Sequence, residues 1–190
     1  KLSGVWHVTD YTNVLKSGFD LAALYWPDYI SDVLGIRKDW LQEVLPSGRV
    51  IGTLNKDLSQ QLGLPSNVAV TTGLTDGCAS QVASGAMRPG QWNTTIGTTL
   101  VIKGVSVKEI KDPENRIYNH RHPAGFWMPG GAGNIGADWV SAGFKDELEH
   151  YNNAAVTLTP TGQIAYPLLQ KGERFPFLAP EVSGFAPENV

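Results

Sequence analysis

Val68-Ala69-Val70-Thr71-Thr72-Gly73-Leu74-Thr75-Asp76-Gly77-Cys78-Ala79-Ser80 is the stretch on which the fold turns. Its first six residues form an apolar, β-branched run, the pattern of a strand buried on both faces. The run ends at Leu74-Thr75-Asp76, and small residues then follow as far as Gly85, among them Ala79, Ser80, Ala83 and Ser84. Such residues let a helix pack closely on its neighbours. Strand, acidic turn and small-residue helix make one α/β unit, and open α/β sheets bind ligands beyond the carboxyl ends of their strands. Asp76 occupies that place. A carboxylate there can take the proton of a hydroxyl group as its oxygen attacks a phosphate. It can equally cap the helix that follows, and from spacing alone both readings stand.

Working outward, residues 91–96 and 99–103 read as two strands of a hairpin around Gly97-Thr98. Glycine lets backbone amides approach a ligand closely and threonine adds hydroxyl donors, so this turn suits phosphate oxygens; a plain hairpin turn is the competing reading. Gly130-Gly131-Ala132-Gly133 before a helix over 135–144 offers a second phosphate cradle. It is neither a Walker A loop, since no Lys-Ser or Lys-Thr follows, nor a GxGxxG fingerprint. Upstream, residues 20–45 suggest short helices broken by Pro27 and Gly35, then a strand over 50–54 and a helix over 56–62, capped by Asn55 and stopped by Gly63. Residues 105–113 read as a charged connection, 117–122 and 125–128 as short strands around Pro123, and 145–155 as a helix. The ending, residues 185–190, reads as a loop that finishes no element, which together with the start at Lys1 suggests a piece of a longer chain.

Composition narrows the function classes. The chain has 190 residues, 42% of them hydrophobic and 17% charged, enough apolar material for a packed core. The net charge is −3 and the basic residues are scattered, which argues against nucleic acid as a partner. No run reaches the length of a membrane span and no signal-like start is present, so neither membrane insertion nor export is expected. Cys78 is the sole cysteine, which rules out an internal disulfide and fits a reducing, cytoplasmic setting. His120 and His122 alternate on a strand as two exposed imidazoles without a carboxylate or cysteine at ligand spacing, so no metal site is expected there. Six tryptophans spread along the chain read as core residues.

Taken together, Thr72-Gly73-Leu74-Thr75-Asp76-Gly77-Cys78-Ala79-Ser80, then Gly85, Pro89-Gly90 and Ile96-Gly97-Thr98-Thr99, resemble the FGGY family of carbohydrate kinases. Thr9-Asp10-Tyr11-Thr12-Asn13, Leu45-Pro46-Ser47-Gly48, residues 129–136 and residues 172–177 look like its xylulokinase-like members. The resemblance implies an α/β fold of the ribonuclease-H-like, actin-like ATPase type. It implies residues 1–88 as the later part of the sugar-binding N-terminal domain and 89–190 as the first part of the ATP-binding C-terminal domain. The family's phosphate motif near the N-terminus and its late Gly-Gly adenine segment have no counterpart in these 190 residues, which are expected to show no turnover by themselves.

By the same resemblance the reaction is ATP- and Mg²⁺-dependent phosphorylation of a ketopentose, D-xylulose or D-ribulose. Asp76 matches the general base, Gly97 and Thr98 the turn that contacts the ATP phosphates, and Gly131 a second contact near the nucleotide. No residue is assigned to metal. Asp10 and Asn13 match a family segment without an assigned role, and a homo-oligomer is left open. The alternative is a non-catalytic actin-like module that binds sugar or nucleotide.

Overall fold

The computed structural model describes residues 1–187, and the last three residues of the loop-like ending lie outside the described residues. The polypeptide divides into two compact units. The first comprises Lys1–Gln91, Val105–Glu109 and Asn119–Met128; the second comprises Trp92–Gly104, Ile110–Tyr118 and Pro129–Val190.

In the first unit, β1 (Val8–Asp10) pairs in parallel with β2 (Glu43–Leu45), with Asp10 opposite Leu45. The chain between them is mostly turns. One helical turn, α1 (Tyr29–Asp32), and a 3₁₀ turn at Lys38–Trp40 are the helical pieces. The expected short helices shrink this far for identifiable reasons. The Asp20 carboxylate accepts from the amides of Ala22 and Ala23 (2.8 Å each), which closes a side-chain turn in competition with a helix. Leu24 and Gly35 then adopt left-handed backbone (φ 59° and 68°). Tyr11, Val14, Phe19, Leu21 and Trp127 form the core of this unit, with Leu15, Trp26 and Val44 packed on it. Phe19 meets Trp26 edge to face at 5.1 Å, a favoured arrangement of the two ring quadrupoles.

β3 (Val50–Thr53) and β4 (Ala69–Thr71) form an antiparallel pair. Burial on both faces was the expectation for β4, yet Ala69 and Thr71 are exposed. The strand pairs with β3 in a sheet of two, so it is an edge strand and not the inner strand of a wider sheet. Between them α2 (Lys56–Leu62) matches its expected limits: the Asn55 side chain accepts from the Asp57 amide at 2.9 Å, and Gly63 closes the helix in left-handed backbone (φ 65°). Such an N-cap stabilises by about 1 kcal/mol. α3 (Asp76–Ala83) starts at Asp76, as the acidic turn and small residues predict, and buries Cys78 and Gln81.

The second unit contains β5 (Trp92–Ile96), β6 (Leu100–Gly104) and residues 129–132 of β8 (Trp127–Ala132), which with β7 (Tyr118–Arg121) belong to a sheet of order β5-β6-β8-β7. β5 and β6 pair antiparallel with Ile96 opposite Leu100, which leaves Gly97-Thr98-Thr99 as the hairpin loop. The indole of Trp92 lies flat across Gly104, where any Cβ would collide with the ring. Trp92 is therefore half exposed rather than a core residue, as are Trp6 and Trp40, whereas Trp127 is buried. α4 (Asp138–Phe144) and α5 (Leu148–Leu158) follow the sheet. Both begin three residues later than the sequence pattern suggests. Ala137 is held by the hairpin loop, its amide donating to the Gly97 carbonyl, and Lys145 takes left-handed backbone (φ 43°) between the two helices.

Glu173 is the buried centre of this unit at 2% exposure. Its Oε1 accepts from the amides of Asn134 (2.7 Å), Arg174 (2.8 Å) and Phe175 (3.4 Å), and its Oε2 from the Tyr166 hydroxyl (2.6 Å). Burial alone would raise the carboxyl pKa; the Tyr166 hydroxyl and the three amides outweigh it and hold Glu173 below its ordinary range. Burial, and then the bond to Glu173, push the Tyr166 phenol up to about 12. Two pH limbs follow from linkage. The Glu173 contribution to stability is full above the ordinary carboxylate range and is lost as pH falls through its depressed pKa. The Tyr166 contribution is full below pH 10 and is lost as pH rises toward about 12. Tyr166→Phe should lower stability by about 1.5–3 kcal/mol at neutral pH, since it removes a hydrogen bond to a charged group. In thermal melts from pH 8 to 12, the gap between wild type and this variant should narrow above pH 10; a constant gap would contradict the assignment.

Candidate functional site

Asp10 is buried at 4% exposure and is the polar centre of the first unit. Its Oδ1 accepts from the Thr12 amide (2.9 Å), the Thr12 hydroxyl (2.6 Å), the Asn13 amide (3.2 Å) and the Ser47 hydroxyl (3.5 Å). Its Oδ2 accepts from the Asn13 side-chain amide at 2.5 Å. An acceptor-only carboxylate surrounded by donors is a satisfied buried charge. The Thr12 hydroxyl in turn accepts from the Thr75 amide at 2.9 Å.

Thr72, at the other end of the 72–75 loop, is also tied down. Its hydroxyl donates to the Pro46 carbonyl (2.7 Å) and accepts from the Arg49 amide (2.9 Å). Its own amide donates to the Arg49 carbonyl (2.9 Å), while its carbonyl accepts from the Gly48 amide (3.2 Å). The loop that delivers Asp76 is thus held at both ends by neighbours of Asp10. Asp76 itself is exposed in the first turn of α3, and its Oδ1 accepts from the Gly77 amide at 2.6 Å. It is thus an exposed carboxylate on a fixed loop, a group chemically able to accept a proton.

In the second unit, Gly97 and Thr98 are exposed at the tip of the β5–β6 hairpin. The loop is braced from behind. Gly97 donates to the Thr99 carbonyl (3.1 Å), Ala137 donates to the Gly97 carbonyl (2.6 Å) and Leu100 donates to the Ile135 carbonyl (2.5 Å). Gly136 passes so close that a Cβ there would lie 2.6 Å from the Gly97 carbonyl oxygen and closer still to that of Thr98. Among the described residues, the Thr98 and Thr99 amides and hydroxyls donate to no protein atom. Beside the loop lies a cavity of about 240 Å³ lined by Thr99, Asn134, Gly136, Asp138, Trp139 and Lys171, among others. Hydroxyl and amide donors at a braced, open turn fit a phosphate group.

Gly131 is placed differently from the expectation. Residues 130–132 are not a turn before a helix but the end of β8, with Ile102 opposite Gly131 and Lys103 opposite Gly130. The backbone of β6 pairs with this segment, and the Phe175 ring covers Gly131 where a Cβ would otherwise stand. The missing side chain there serves close packing of a strand under a ring. The turn itself comes later, over residues 133–137, and includes Gly136, which sequence reasoning passed over. Its signal, a glycine that must clear another backbone, shows only when the hairpin is in place.

The expectation of two exposed imidazoles is also corrected. His122 is buried at 2% exposure, accepts from the Ala124 amide at its Nδ1 (3.0 Å) and lies 5.8 Å from the Phe126 ring. Desolvation holds its pKa below the ordinary histidine value. Among the described residues no group of three or more His, Cys, Asp or Glu side chains gathers as a metal site, and no helix is long and apolar enough to cross a membrane.

Residues 1–83 match the N-terminal domain of the FGGY family of carbohydrate kinases. The gluconokinase of Bacillus licheniformis is 26% identical over 196 residues, covering 94% of this chain and 38% of the relative. Among solved structures, a ligand-bound xylulose kinase from Lactobacillus acidophilus has a TM-score of 0.76 at 23% identity, covering 97% of this chain and 39% of that one. A gluconate kinase from the same organism has a TM-score of 0.78 at 24% identity, with 97% and 39% covered. The chain therefore spans about two fifths of the length of these relatives, and its fold is the ribonuclease-H-like, actin-like α/β fold of sugar kinases. With Asp76 at the head of α3, the match of residues 1–83 to the N-terminal domain supports the FGGY family of carbohydrate kinases for this part of the chain.

Proposed function

We propose that the protein carrying this chain is an ATP-dependent carbohydrate kinase in which Asp76 is the general base. The observation that carries the proposal is the exposed Asp76 carboxylate at the end of a loop held at Thr72 and Thr75. A base must meet its proton within hydrogen-bond reach, and a fixed backbone shortens the search for that geometry. Residues 1–88 belong, in this reading, to the sugar-binding domain and residues 89–190 to the ATP-binding domain.

Bound ATP with Mg²⁺ supplies the phosphoryl group, its bond to the γ-phosphorus breaking toward ADP as the sugar oxygen bonds to that phosphorus. Asp76 accepts the proton released by the attacking hydroxyl. The amides and hydroxyls of Thr98 and Thr99 hold phosphate oxygens, with Gly97 keeping the approach open and Gly136 bracing the loop. Gly131, beneath Phe175, supports this nucleotide side by holding β8 against β6. Positioning and electrostatic stabilisation dominate phosphoryl transfer, so few reacting side chains are needed.

A ketopentose, D-xylulose or D-ribulose, is the acceptor we place first, from the resemblance of residues 129–136 and 172–177 to xylulokinase-like members. Gluconate is the competing acceptor, carried by the Bacillus gluconokinase. The setting we propose is cytoplasmic. A panel of D-xylulose, D-ribulose, gluconate and glycerol, with ADP release as the readout, separates these acceptors. Binding of sugar and ATP without ADP release from any of them would favour a non-catalytic module instead.

Asp76→Ala should lower kcat by about 10²-fold or more, the ordinary contribution of a general base; wild-type ADP release by this variant would refute the assignment. Gly136→Ala should raise KM for ATP about tenfold, equivalent to about 1.4 kcal/mol, because the new methyl group pushes the Gly97-Thr98 loop from behind. An unchanged KM for ATP would remove this loop from the nucleotide site.

A further inference from the structure

We infer that Thr12, anchored by Asp10, is a positioning residue for Asp76; this rests on the reading of Asp76 as the base. Thr75 is the N-cap of α3, but its own side chain makes no capping hydrogen bond. Its amide is instead held by a hydroxyl 63 residues earlier in the chain. That hydroxyl has one proton, and the proton goes to Asp10 Oδ1 at 2.6 Å. Because the carboxylate can only accept, it fixes the direction of the Thr12 O–H and leaves a lone pair facing the Thr75 amide. The result is a directed relay from a buried carboxylate, through one hydroxyl, to the backbone next to Asp76.

The relay is more than fold glue because of where it acts. Thr72 already secures the exit of β4 through the Pro46–Arg49 turn. The Thr12 contact adds nothing to that pairing and fixes instead the Leu74–Thr75 peptide, one residue before Asp76. Loss of it loosens the backbone one residue before Asp76 and with it the placement of the Asp76 side chain, and a displacement near 1 Å can cost about 10²-fold in rate. Neither the sugar nor the nucleotide needs to touch Thr12 for this effect.

The test uses the protein that carries this chain, with the acceptor chosen from the panel above. Thr12→Val keeps the shape and removes the hydroxyl; Thr12→Ser restores it. Thr12→Val should lower kcat by about 10- to 100-fold, with KM for sugar and for ATP within about threefold of wild type, and Thr12→Ser should recover kcat to within about threefold. Circular dichroism checks folding, and where valine is not accommodated Thr12→Ala, which adds no atom, is read in the same way. A wild-type kcat in the hydroxyl-free variant overturns the inference, as does a loss confined to KM or a serine variant as slow as the valine one. Asp76→Asn is measured alongside: wild-type turnover in that variant overturns the reading of Asp76 itself, whereas its loss with an active Thr12→Val overturns the positioning role alone.

Discussion

The carboxylate of Asp10 is the constraint on which the first unit depends. A charge taken out of water carries a penalty of several kcal/mol unless donors replace its hydration. At Asp10 they do, from Thr12, Asn13 and Ser47, residues on two separate stretches of chain. Satisfying that one group draws together the end of β1, the turn after β2 and, through Thr12, the loop leaving β4. The polar demand of a single side chain therefore organises the backbone around Asp76, while the apolar residues Tyr11, Val14, Phe19, Leu21 and Trp127 supply the bulk of the burial.

The second unit repeats the device with different residues. Glu173 gathers the amides of Asn134, Arg174 and Phe175 and the hydroxyl of Tyr166, and so fastens the later loops to the segment that follows β8. Glycine does the complementary work. Gly131 makes room for Phe175 and Gly136 makes room for the Gly97-Thr98 loop. Donors fix the loops in place, and absent side chains let them come close. A turn that must present its amides to a ligand needs both, because a loosely held loop forfeits the preorganisation on which electrostatic stabilisation rests.

The match of residues 1–83 to the FGGY N-terminal domain and this local architecture support each other. Relatives that share the fold are named for different acceptors, gluconate and xylulose. That pattern is expected where the base and the phosphate-holding turn belong to the common scaffold and the acceptor is chosen by residues around them.

Much of the candidate site was legible in the chain itself. Asp76 opening α3, Asn55 and Gly63 bounding α2, and the hairpin around Gly97-Thr98 are all local matters, decided by capping, by backbone freedom at glycine and by alternation over a few residues. What tertiary structure alone decided is whatever depends on a distant partner. β4 is exposed because it pairs with β3 in a sheet of two, His122 is buried though its strand pattern looks polar, and Gly130-Gly131 is strand because β6 pairs with it. The role of Asp10 belongs to the same class. Its sequence neighbours name the donors Thr12 and Asn13, but only the folded chain brings Ser47 to its carboxylate and Thr75 to the Thr12 hydroxyl. The sequence alone thus determined which residue could act as a base; the structure determined what holds it, because hydrogen bonds between stretches 63 residues apart leave no periodic mark on either one.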